Sequence, residues 1–424
     1  MTSIPATRSG RFENALYLLR TQSVTDEQTN ANGTQATTAN ADGPKPGKVF
    51  STYVFAHFDG AVVLGGNGAD YVDAYDFAAV AGGAGDDDIN VYGFSLVSGG
   101  AGNDHITAYH HATITGGAGN DSIEAYSFAN IDGGDGNDTI DVYSFGLVSG
   151  GNGNDVIDSN DYATIDGGNG DDRISTYSNS LVFGGDGNDK ITAYDHLTVD
   201  AGNGNDTVFA YDHGHISTGA GNDIVVTYGG SSQIQGGQGN DVLISTDFSV
   251  YDGYTADGSM LDGGDGNDYL QAGDDARLKG GAGDDILRLT GKNATVVFGR
   301  GDGSDTIRST GNLSVDIGGY SKQDISIQTQ GQTYVVTFAG TGETLTLDLT
   351  SGVTARLTFA DGSVEVTGAD VRKTLSHVIT DAANYGAIGE ADVVYFEKKM
   401  QVQGPGTSMV VGGRAATVES LTRP

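Results

Sequence analysis

The sequence predicts an all-β fold, a parallel β-roll or β-solenoid of about 17-residue coils with a β-rich C-terminal cap. A glycine- and aspartate-rich hexapeptide recurs along the chain at a nearly constant spacing, and two rows of β-branched residues recur with it. The 424 residues carry a formal net charge of -35 and no cysteine. A short fixed period is typical of stacked coils that contact only their neighbours, so one globular core is not expected.

The hexapeptide is G-G-x-G-x-D, and its copies begin 17 residues apart over most of the chain. Complete copies begin at Gly65, Gly82, Gly99, Gly116, Gly133, Gly150, Gly167 and Gly184. The first glycine is replaced at Ala201 and Thr218, and further copies begin at Gly236, Gly263 and Gly280 after irregular gaps. A degenerate last copy, R-G-D-G-S-D, ends at Asp305. The longest gap predicts a loop over Phe248–Met260.

Each coil is predicted to hold two short strands and two turns. In the copy Gly116–Asp132, Ile123 follows the aspartate, Ala125 shares its face by strand alternation, and Ile131 belongs to a second apolar row. The first row is Val72, Ile89, Ile106, Ile123, Ile140, Ile157, Ile174, Ile191 and Val208. The second row is Val80, Val97, Ile114, Ile131, Val148, Ile165, Val182, Val199 and Ile216. Only stacking of neighbouring coils can bury these rows.

The residue types of the hexapeptide favour calcium. Glycine tolerates positive φ and lets backbone carbonyls point into a shared concavity, while aspartate adds a charged oxygen. Calcium takes about six to eight oxygen ligands at about 2.3–2.6 Å, more than one turn can supply. We therefore expect ions between consecutive turns. Since bare carboxylates one strand apart repel each other, we also expect the repeat to be largely unfolded without calcium.

A specific resemblance supports this interpretation. The stretch Gly116-Gly117-Ala118-Gly119-Asn120-Asp121-Ser122-Ile123-Glu124 matches the nonapeptide G-G-x-G-x-D-x-U-x. The chain resembles the RTX (haemolysin-type) calcium-binding repeat proteins over roughly residues 65–370. FGRGDGSDTI and LTFADGSVEV also look like the segment that closes the repeats in such proteins. The resemblance implies a β-roll that binds several Ca²⁺ ions.

The chain departs from the usual pattern in one respect. The family's β-roll has two nonapeptides in each coil of about 18 residues, whereas here each coil has one. This implies one calcium column on one side and a metal-free turn on the other. The resemblance implies as carboxylate ligands Asp70, Asp87, Asp104, Asp121, Asp138, Asp155, Asp172, Asp189, Asp206, Asp223, Asp241, Asp268 and Asp285. Carbonyls of glycines in the same turns would complete the shell, among them Gly82, Gly99, Gly116, Gly133, Gly150, Gly167 and Gly184.

The opposite turn carries two rows that we call the aromatic edge. The first row is Tyr75, Tyr92, Tyr109, Tyr126, Tyr143, Tyr177, Tyr194, Tyr211 and Tyr228, interrupted by Asn160. The second is Phe77, Phe94, His111, Phe128, Phe145, Tyr162, Asn179, His196 and His213. Strand alternation predicts that tyrosine points outward or wraps the turn. Stacked rings could seal this edge, or form a platform for sugar rings or another protein.

His196 and His213 lie beside Asp195 and Asp212 on what would be adjacent coils. Histidine with carboxylate can bind zinc or act in acid–base catalysis. The triplets Tyr-Asp-His resemble the residue types of parallel β-helix lyases and epimerases. A polysaccharide-modifying enzyme that uses this edge is therefore the alternative hypothesis.

Four regions are predicted along the chain. Residues 1–48 would form a short helix around residues 11–20 and a disordered segment. Residues 49–310 would form the calcium-binding β-roll. Its first coil starts near Ser51, and Phe58 matches the frame of the repeat. Residues 311–371 would form the cap. Residues 372–424 would be a C-terminal tail that could serve in secretion, and Asp370–Ala383 has helix-like apolar spacing.

We expect a secreted bacterial protein without enzymatic activity, in the cell-surface, matrix or adhesion class. The sequence lacks the zinc-protease, nucleophile-elbow and phosphate-loop motifs. The acidic charge disfavours nucleic acid and anionic membranes, and no apolar run of about 18 residues predicts a membrane span. Extracellular polysaccharide or a host surface are the expected partners besides calcium. No N-terminal secretory signal is present, and similar proteins leave by the type I route, so we expect that route.

Overall fold

The computed structural model describes residues 51–57, 59–211, 213–229, 231–246, 258–330 and 333–368. Several predictions from the sequence lie outside this part of the chain. They concern the helix around residues 11–20, Phe58, most of the loop Phe248–Met260, the helix-like spacing in Asp370–Ala383 and the tail 372–424. The described residues form 35 β-strands and one 3₁₀ helix, Lys322–Asp324. None of the described helical segments is long and apolar enough to cross a membrane.

The strands follow one another in chain order with short turns between them. The first twelve are β1 Thr52–Ala56, β2 Val62–Asn67, β3 Asp70–Ala74, β4 Ala79–Ala84, β5 Asp88–Gly93, β6 Leu96–Ala101, β7 His105–His110, β8 Thr113–Ala118, β9 Ser122–Ala125, β10 Asn130–Asp135, β11 Thr139–Ser144 and β12 Leu147–Asn152. The next twelve are β13 Val156–Asp161, β14 Thr164–Asn169, β15 Arg173–Ser178, β16 Leu181–Asp186, β17 Lys190–Asp195, β18 Thr198–Asn203, β19 Thr207–Ala210, β20 His215–Ala220, β21 Ile224–Tyr228, β22 Gln233–Gln238, β23 Val242–Thr246 and β24 Met260–Asp265. The last eleven are β25 Tyr269–Ala272, β26 Arg277–Ala282, β27 Ile286–Leu289, β28 Ala294–Phe298, β29 Ser304–Ser309, β30 Leu313–Ile317, β31 Ile325–Gln330, β32 Thr333–Phe338, β33 Thr344–Leu349, β34 Thr354–Phe359 and β35 Gly362–Thr367.

The coils stack as two parallel sheets in about 15 turns, which confirms the predicted solenoid of about 17-residue coils. Odd-numbered strands up to β29 form the first sheet, and even-numbered strands up to β30 form the second. Each pairs in parallel with the strand two places along, so that Ile140 lies opposite Ile123 and Ile157. The same register in the second sheet places Val148 opposite its row neighbours one coil away. Residues one coil apart therefore form straight rows along the axis.

The core lies between the two sheets and consists of the two predicted apolar rows. Ile157 is fully buried and Val148 is 1% exposed, and the small residues Ala74, Ala108, Ala125 and Ala193 are buried beside them. Side chains alternate between the inside and the outside along each strand, so a coil contributes only a few residues to the core. Adjacent coils must therefore complete the burial of each other's side chains.

The irregular gaps after Asp223 do not break the stacking. Gly237 still lies opposite Gly219 and Gly264 although the copies are 18 and 27 residues apart. The additional residues therefore lie outside the paired strands. Register is kept because a slip by one residue would turn the apolar row outward.

The C-terminal end is closed by antiparallel hairpins. Parallel pairing continues past Asp305, since β29 pairs with β33 and β30 with β34. The strands β31, β32 and β33 then pair antiparallel, as do β34 and β35. Phe298 stacks on Phe338 with ring centroids 4.9 Å apart, and Tyr320 contacts Phe338 at 4.5 Å. Large rings fill this end of the core, where no further coil among the described residues covers the aliphatic rows.

Candidate metal centre

The glycine turns lie directly on one another along one side of the solenoid. The second and fourth residues of each hexapeptide have positive φ, as at Gly151 (+117°) and Gly153 (+127°). A Cβ on Gly151 would lie 2.1 Å from the carbonyl oxygen of Gly134, and one on Gly153 would lie 2.0 Å from that of Gly136. Only glycine fits both the backbone conformation and this close approach. The turns therefore place backbone carbonyls of successive coils next to each other.

The motif aspartates form a buried row beneath these turns, which we call the aspartate column. Its members are at most 3% exposed: Asp70, Asp87, Asp104, Asp121, Asp138, Asp155, Asp172, Asp189, Asp206, Asp223, Asp241, Asp268 and Asp285. They are not the side chains of solvated turns. From Asp87 onward, Oδ1 accepts the backbone N–H of the aspartate one coil earlier, as Asp155 Oδ1 accepts the Asp138 N–H at 2.7 Å. These bonds fix the side chains in one orientation along the axis; at the N-terminal end the Ser51 hydroxyl donates to Asp70 Oδ1 at 2.7 Å.

The second carboxylate oxygen, Oδ2, is the chemically unsatisfied atom of the column. It is buried and has no hydrogen-bond partner among the described residues in Asp70, Asp87, Asp121, Asp138, Asp155, Asp172, Asp189, Asp206, Asp223, Asp241, Asp268 and Asp285. In the turns that begin with glycine, it lies beside that first glycine. A Cβ on Gly150 would lie 2.3 Å from Asp155 Oδ2 and 2.4 Å from the carbonyl oxygen of Gly167 in the next coil. Two oxygens from adjacent coils thus converge beside a bare Cα.

Burial raises the pKa above the ordinary value in Asp87, Asp121, Asp138, Asp155, Asp172, Asp189, Asp206, Asp223, Asp241, Asp268 and Asp285. It raises the pKa of Asp121 and Asp172 to about 7 and that of Asp138 to about 6, although a backbone N–H opposes the shift in each case. Charges of neighbouring aspartates raise these pKa values further, but they rank below burial. Burial thus raises these pKa values more than the repulsion between neighbouring carboxylates, on which the sequence-based expectation of unfolding without calcium rested. A buried carboxylate of this kind is stabilised by a proton or by a cation.

The coils that carry the first half of the column contain no cationic side chain of their own. From residue 51 to residue 172 the chain contains neither Lys nor Arg. In the last coils Lys279 lowers the pKa of Asp285, yet burial still raises it to about 7. The earlier coils therefore cannot neutralise their own carboxylates, which need protons or cations from outside these coils.

The donor set fits calcium. Among the described residues no three His, Cys, Asp or Glu side chains lie close enough together to hold a metal. A cation at the column would therefore take one or two carboxylate oxygens and otherwise backbone carbonyls. Such all-oxygen sets suit Ca²⁺ and not metals that prefer nitrogen or sulfur.

A comparison with protein families agrees with this chemistry. The model described as "RTX calcium-binding nonapeptide repeat (4 copies)" matches residues 92–123, 111–127, 130–143, 147–161, 164–179, 176–196 and 217–247. The chain carries RTX calcium-binding nonapeptide repeats. The RTX resemblance inferred from the sequence is thereby confirmed, and these repeats support calcium binding.

Among solved structures, the chain is similar to a hyperactive, Ca²⁺-dependent, β-helical antifreeze protein from an Antarctic bacterium. The two are 25% identical, the match covers 63% of this chain and 85% of that one, and the TM-score is 0.44. At this TM-score the likeness carries no argument about this protein. A comparison with curated proteins gives no match.

Two features of the column were missed by sequence reasoning. Asp305 joins it, since its Oδ1 accepts the Asp285 N–H at 3.0 Å and burial raises its pKa to about 9. The residue before each aspartate forms a second ladder, in which Asn120 Oδ1 accepts the N–H of Asn137 at 2.8 Å. The sequence contains a cue for each feature. R-G-D-G-S-D keeps the frame of the repeat, which indicates that Asp305 continues the column. Asn precedes Asp in most copies, which indicates a second row of side chains.

The aromatic edge lies on the opposite side, and its tyrosines from Tyr75 to Tyr177 are exposed, as expected, whereas Tyr228 is buried. Tyr126 and Tyr143 stack with centroids 4.8 Å apart and planes at 9°. Phe128 and Phe145 stack at 4.9 Å and 5° in the second row, whose members have positive φ, 55° for Phe128. The sequence did not predict this left-handed backbone, which is uncommon for bulky residues. Because neighbouring rings cover each other's faces, the rows expose ring edges and hydroxyl groups.

The histidine pair belongs to the same edge. His196 stacks on His213 at 5.5 Å, and the Asp195 carboxylate contacts His196 Nδ1. The side chains of His196 and Asp195 are 62% and 45% exposed, and Asp212 lies outside the described residues. A groove of about 640 Å³ does not include the histidine pair; it is lined by residues such as Ser217, Asp262 and Arg300. The structure thus brings the two histidines together on the exposed aromatic edge.

Proposed function

We propose that this protein binds a column of Ca²⁺ ions along the aspartate column and that these ions hold the coils in the folded state. The observation that carries the proposal is the buried, unpaired Asp Oδ2 facing the carbonyl oxygen of the next coil's first residue. Each ion would bind the aspartate Oδ2 of one turn and carbonyl oxygens of that turn and the next. Bound calcium would supply the positive charge that the chain lacks at these positions.

The exchange Asp155→Asn tests the site. Asparagine keeps an Oδ1 acceptor for the Asp138 N–H but removes the negative charge, so we expect at least one ion fewer per chain and a lower melting temperature in calcium. The control is Asp158→Asn, which removes a charge from an exposed position three residues away. Bound calcium is counted by native mass spectrometry. Equal ion numbers in Asp155→Asn, Asp158→Asn and the unchanged protein would contradict the proposal.

We also propose that the protein is secreted by a bacterial cell and serves as a non-enzymatic surface or matrix component. Extracellular calcium modules bind with dissociation constants of about 10⁻⁴–10⁻³ M. With such an affinity the chain would stay unfolded in a low-calcium cytosol and fold after export, for which we propose the type I route. The absence of cysteine is consistent with cross-linking by ions.

The aromatic edge is the surface that we propose for contact with extracellular polysaccharide or a host surface. Its rings form two parallel rows and remain substantially exposed, 52% for Phe128 and 47% for Phe145. Since the ring faces are covered, contact would use ring edges and tyrosine hydroxyls. Large exposed apolar strips of this kind often mark interaction sites.

A glycan array with the calcium-loaded protein tests this surface. The double variant Phe128→Asn/Phe145→Asn should lose binding, because asparagine tolerates positive φ and already stands at the equivalent Asn179. Met260→Asn, which removes an exposed apolar side chain outside the two rows, should bind as the unchanged protein does. Equal binding by the double variant would show that sealing of the turn is the rows' only role.

A further inference from the structure

We infer that Ala201 and Thr218 divide the ion column into two blocks, which are joined by an ion-free segment held by apolar contacts. The N-terminal block runs from Asp70 to Asp189 and the C-terminal block from Asp241 to Asp285. This inference rests on the proposed function, because it concerns which coils of the same column bind an ion. Three observations carry it.

The first observation is the geometry at the first residue of the hexapeptide. At Gly65, Gly82, Gly99, Gly116, Gly133, Gly150, Gly167, Gly184, Gly236 and Gly263, a Cβ would lie 2.1–2.6 Å from two oxygens. One is Oδ2 of the turn's own aspartate, and the other is the carbonyl oxygen of the first residue one coil later. A carbon there would stand between two oxygens that a Ca²⁺ ion must reach at about 2.3–2.6 Å. Glycine at this position therefore keeps the column open to a cation.

The second observation is that the chain itself places carbon atoms there in two consecutive coils. Ala201 and Thr218 occupy the first position and are both fully buried. The Thr218 hydroxyl also donates to the carbonyl oxygen of Gly236 at 2.8 Å. That oxygen is the equivalent of the one that faces the bare Cα in the glycine coils. Thr218 thus satisfies a carbonyl that is left for a cation elsewhere.

The third observation is an apolar cluster on the outer face of the first sheet in the same coils. Phe209, Val226 and Ile244 lie in register on β19, β21 and β23. Val226 and Ile244 are only 4% and 5% exposed, and Tyr228 packs with them. In earlier coils the position equivalent to Phe209, Val226 and Ile244 is occupied by aspartate, as at Asp141 and Asp158. Burial of apolar surface can stabilise the stacking where the column lacks ions.

The test restores the glycines. The double variant Ala201→Gly/Thr218→Gly should bind one additional Ca²⁺ for each restored glycine, measured by native mass spectrometry and by equilibrium dialysis at saturating calcium. The matched control is Ala193→Gly/Ala210→Gly, which removes two fully buried methyl groups from the core of neighbouring coils. This control should bind as many ions as the unchanged protein, because its methyl groups face the core and not the column.

The reverse exchange keeps the inference testable if the double variant does not fold. Gly150→Ala places a methyl group beside Asp155 in the N-terminal block and should reduce the number of bound ions. Unchanged ion numbers in Ala201→Gly/Thr218→Gly, or in Gly150→Ala, would overturn the inference. An unchanged protein that binds no calcium would instead refute the proposed function, so the two failures are distinguishable.

Discussion

Removal of calcium at pH 8 is expected to abolish the parallel β-structure of this protein. Folding buries one carboxylate per regular coil, and in Asp87, Asp121 and Asp172 burial raises the pKa to about 7. At pH 8 these groups are charged unless folding takes up protons. The coils up to residue 172 contain no Lys or Arg to compensate them. The penalty recurs along the column, whereas the net stability of a folded domain is typically only about 5–15 kcal/mol, so we expect the chelated chain to unfold.

Far-ultraviolet circular dichroism during a calcium titration measures this effect. We expect an unfolded spectrum in excess chelator and a cooperative gain of β-structure as calcium is added. Magnesium at the same concentration is the matched control ion, and it should not restore the structure, since it requires near-ideal octahedral geometry and gives up its water reluctantly. Full β-structure in chelator at pH 8 would refute the expectation.

The repeat made most of the fold predictable from the sequence. The spacing of Asp121, Ile123 and Ile131 fixed which side chains face the turn and which face the core, because strand alternation leaves only one choice for each residue. Stacking then followed from the fixed period, and the C-terminal strands followed from alternation of apolar and polar residues. Thus local rules were sufficient wherever one coil repeats the previous one.

Contacts between coils could not be predicted in the same way. The sequence does not show that Asp155 Oδ1 accepts an N–H from the preceding coil, which leaves only Oδ2 for a cation. Nor does it show that Phe128 adopts positive φ, because no residue-level preference favours a bulky ring there. Both features depend on the register of adjacent coils. That register is a tertiary property, and it also decides that the aromatic faces are covered.

The two edges of each coil therefore respond differently to solution conditions. The aspartate column is stabilised by charge and depends on the ion and on pH. The aromatic edge is stabilised by stacking, as between Tyr109 and Tyr126 at 5.1 Å, and does not depend on a bound ion. A change of pH should consequently act on stability through the aspartate column.

The chelated protein is expected to be more stable at pH 5 than at pH 8, contrary to ordinary acid denaturation. The pKa of Asp121 and Asp268 is raised from 3.8 to about 7 in the folded state by burial, so the folded state holds more protons than the unfolded state between these values. Stability is then fully present below the unfolded pKa and is lost as pH rises through the folded pKa.

With calcium bound the pH dependence should have the opposite sign, because protons compete with the ion for the same carboxylate oxygens. Lowering the pH from 8 to 5 should then reduce the melting temperature, while in chelator it should increase β-structure. Circular dichroism at both pH values, with calcium and with chelator, provides the four measurements. The variant Asp155→Asn should weaken both trends, and Asp158→Asn should leave them unchanged. A chelated protein that is more stable at pH 8 than at pH 5 would show that the buried carboxylates do not control folding.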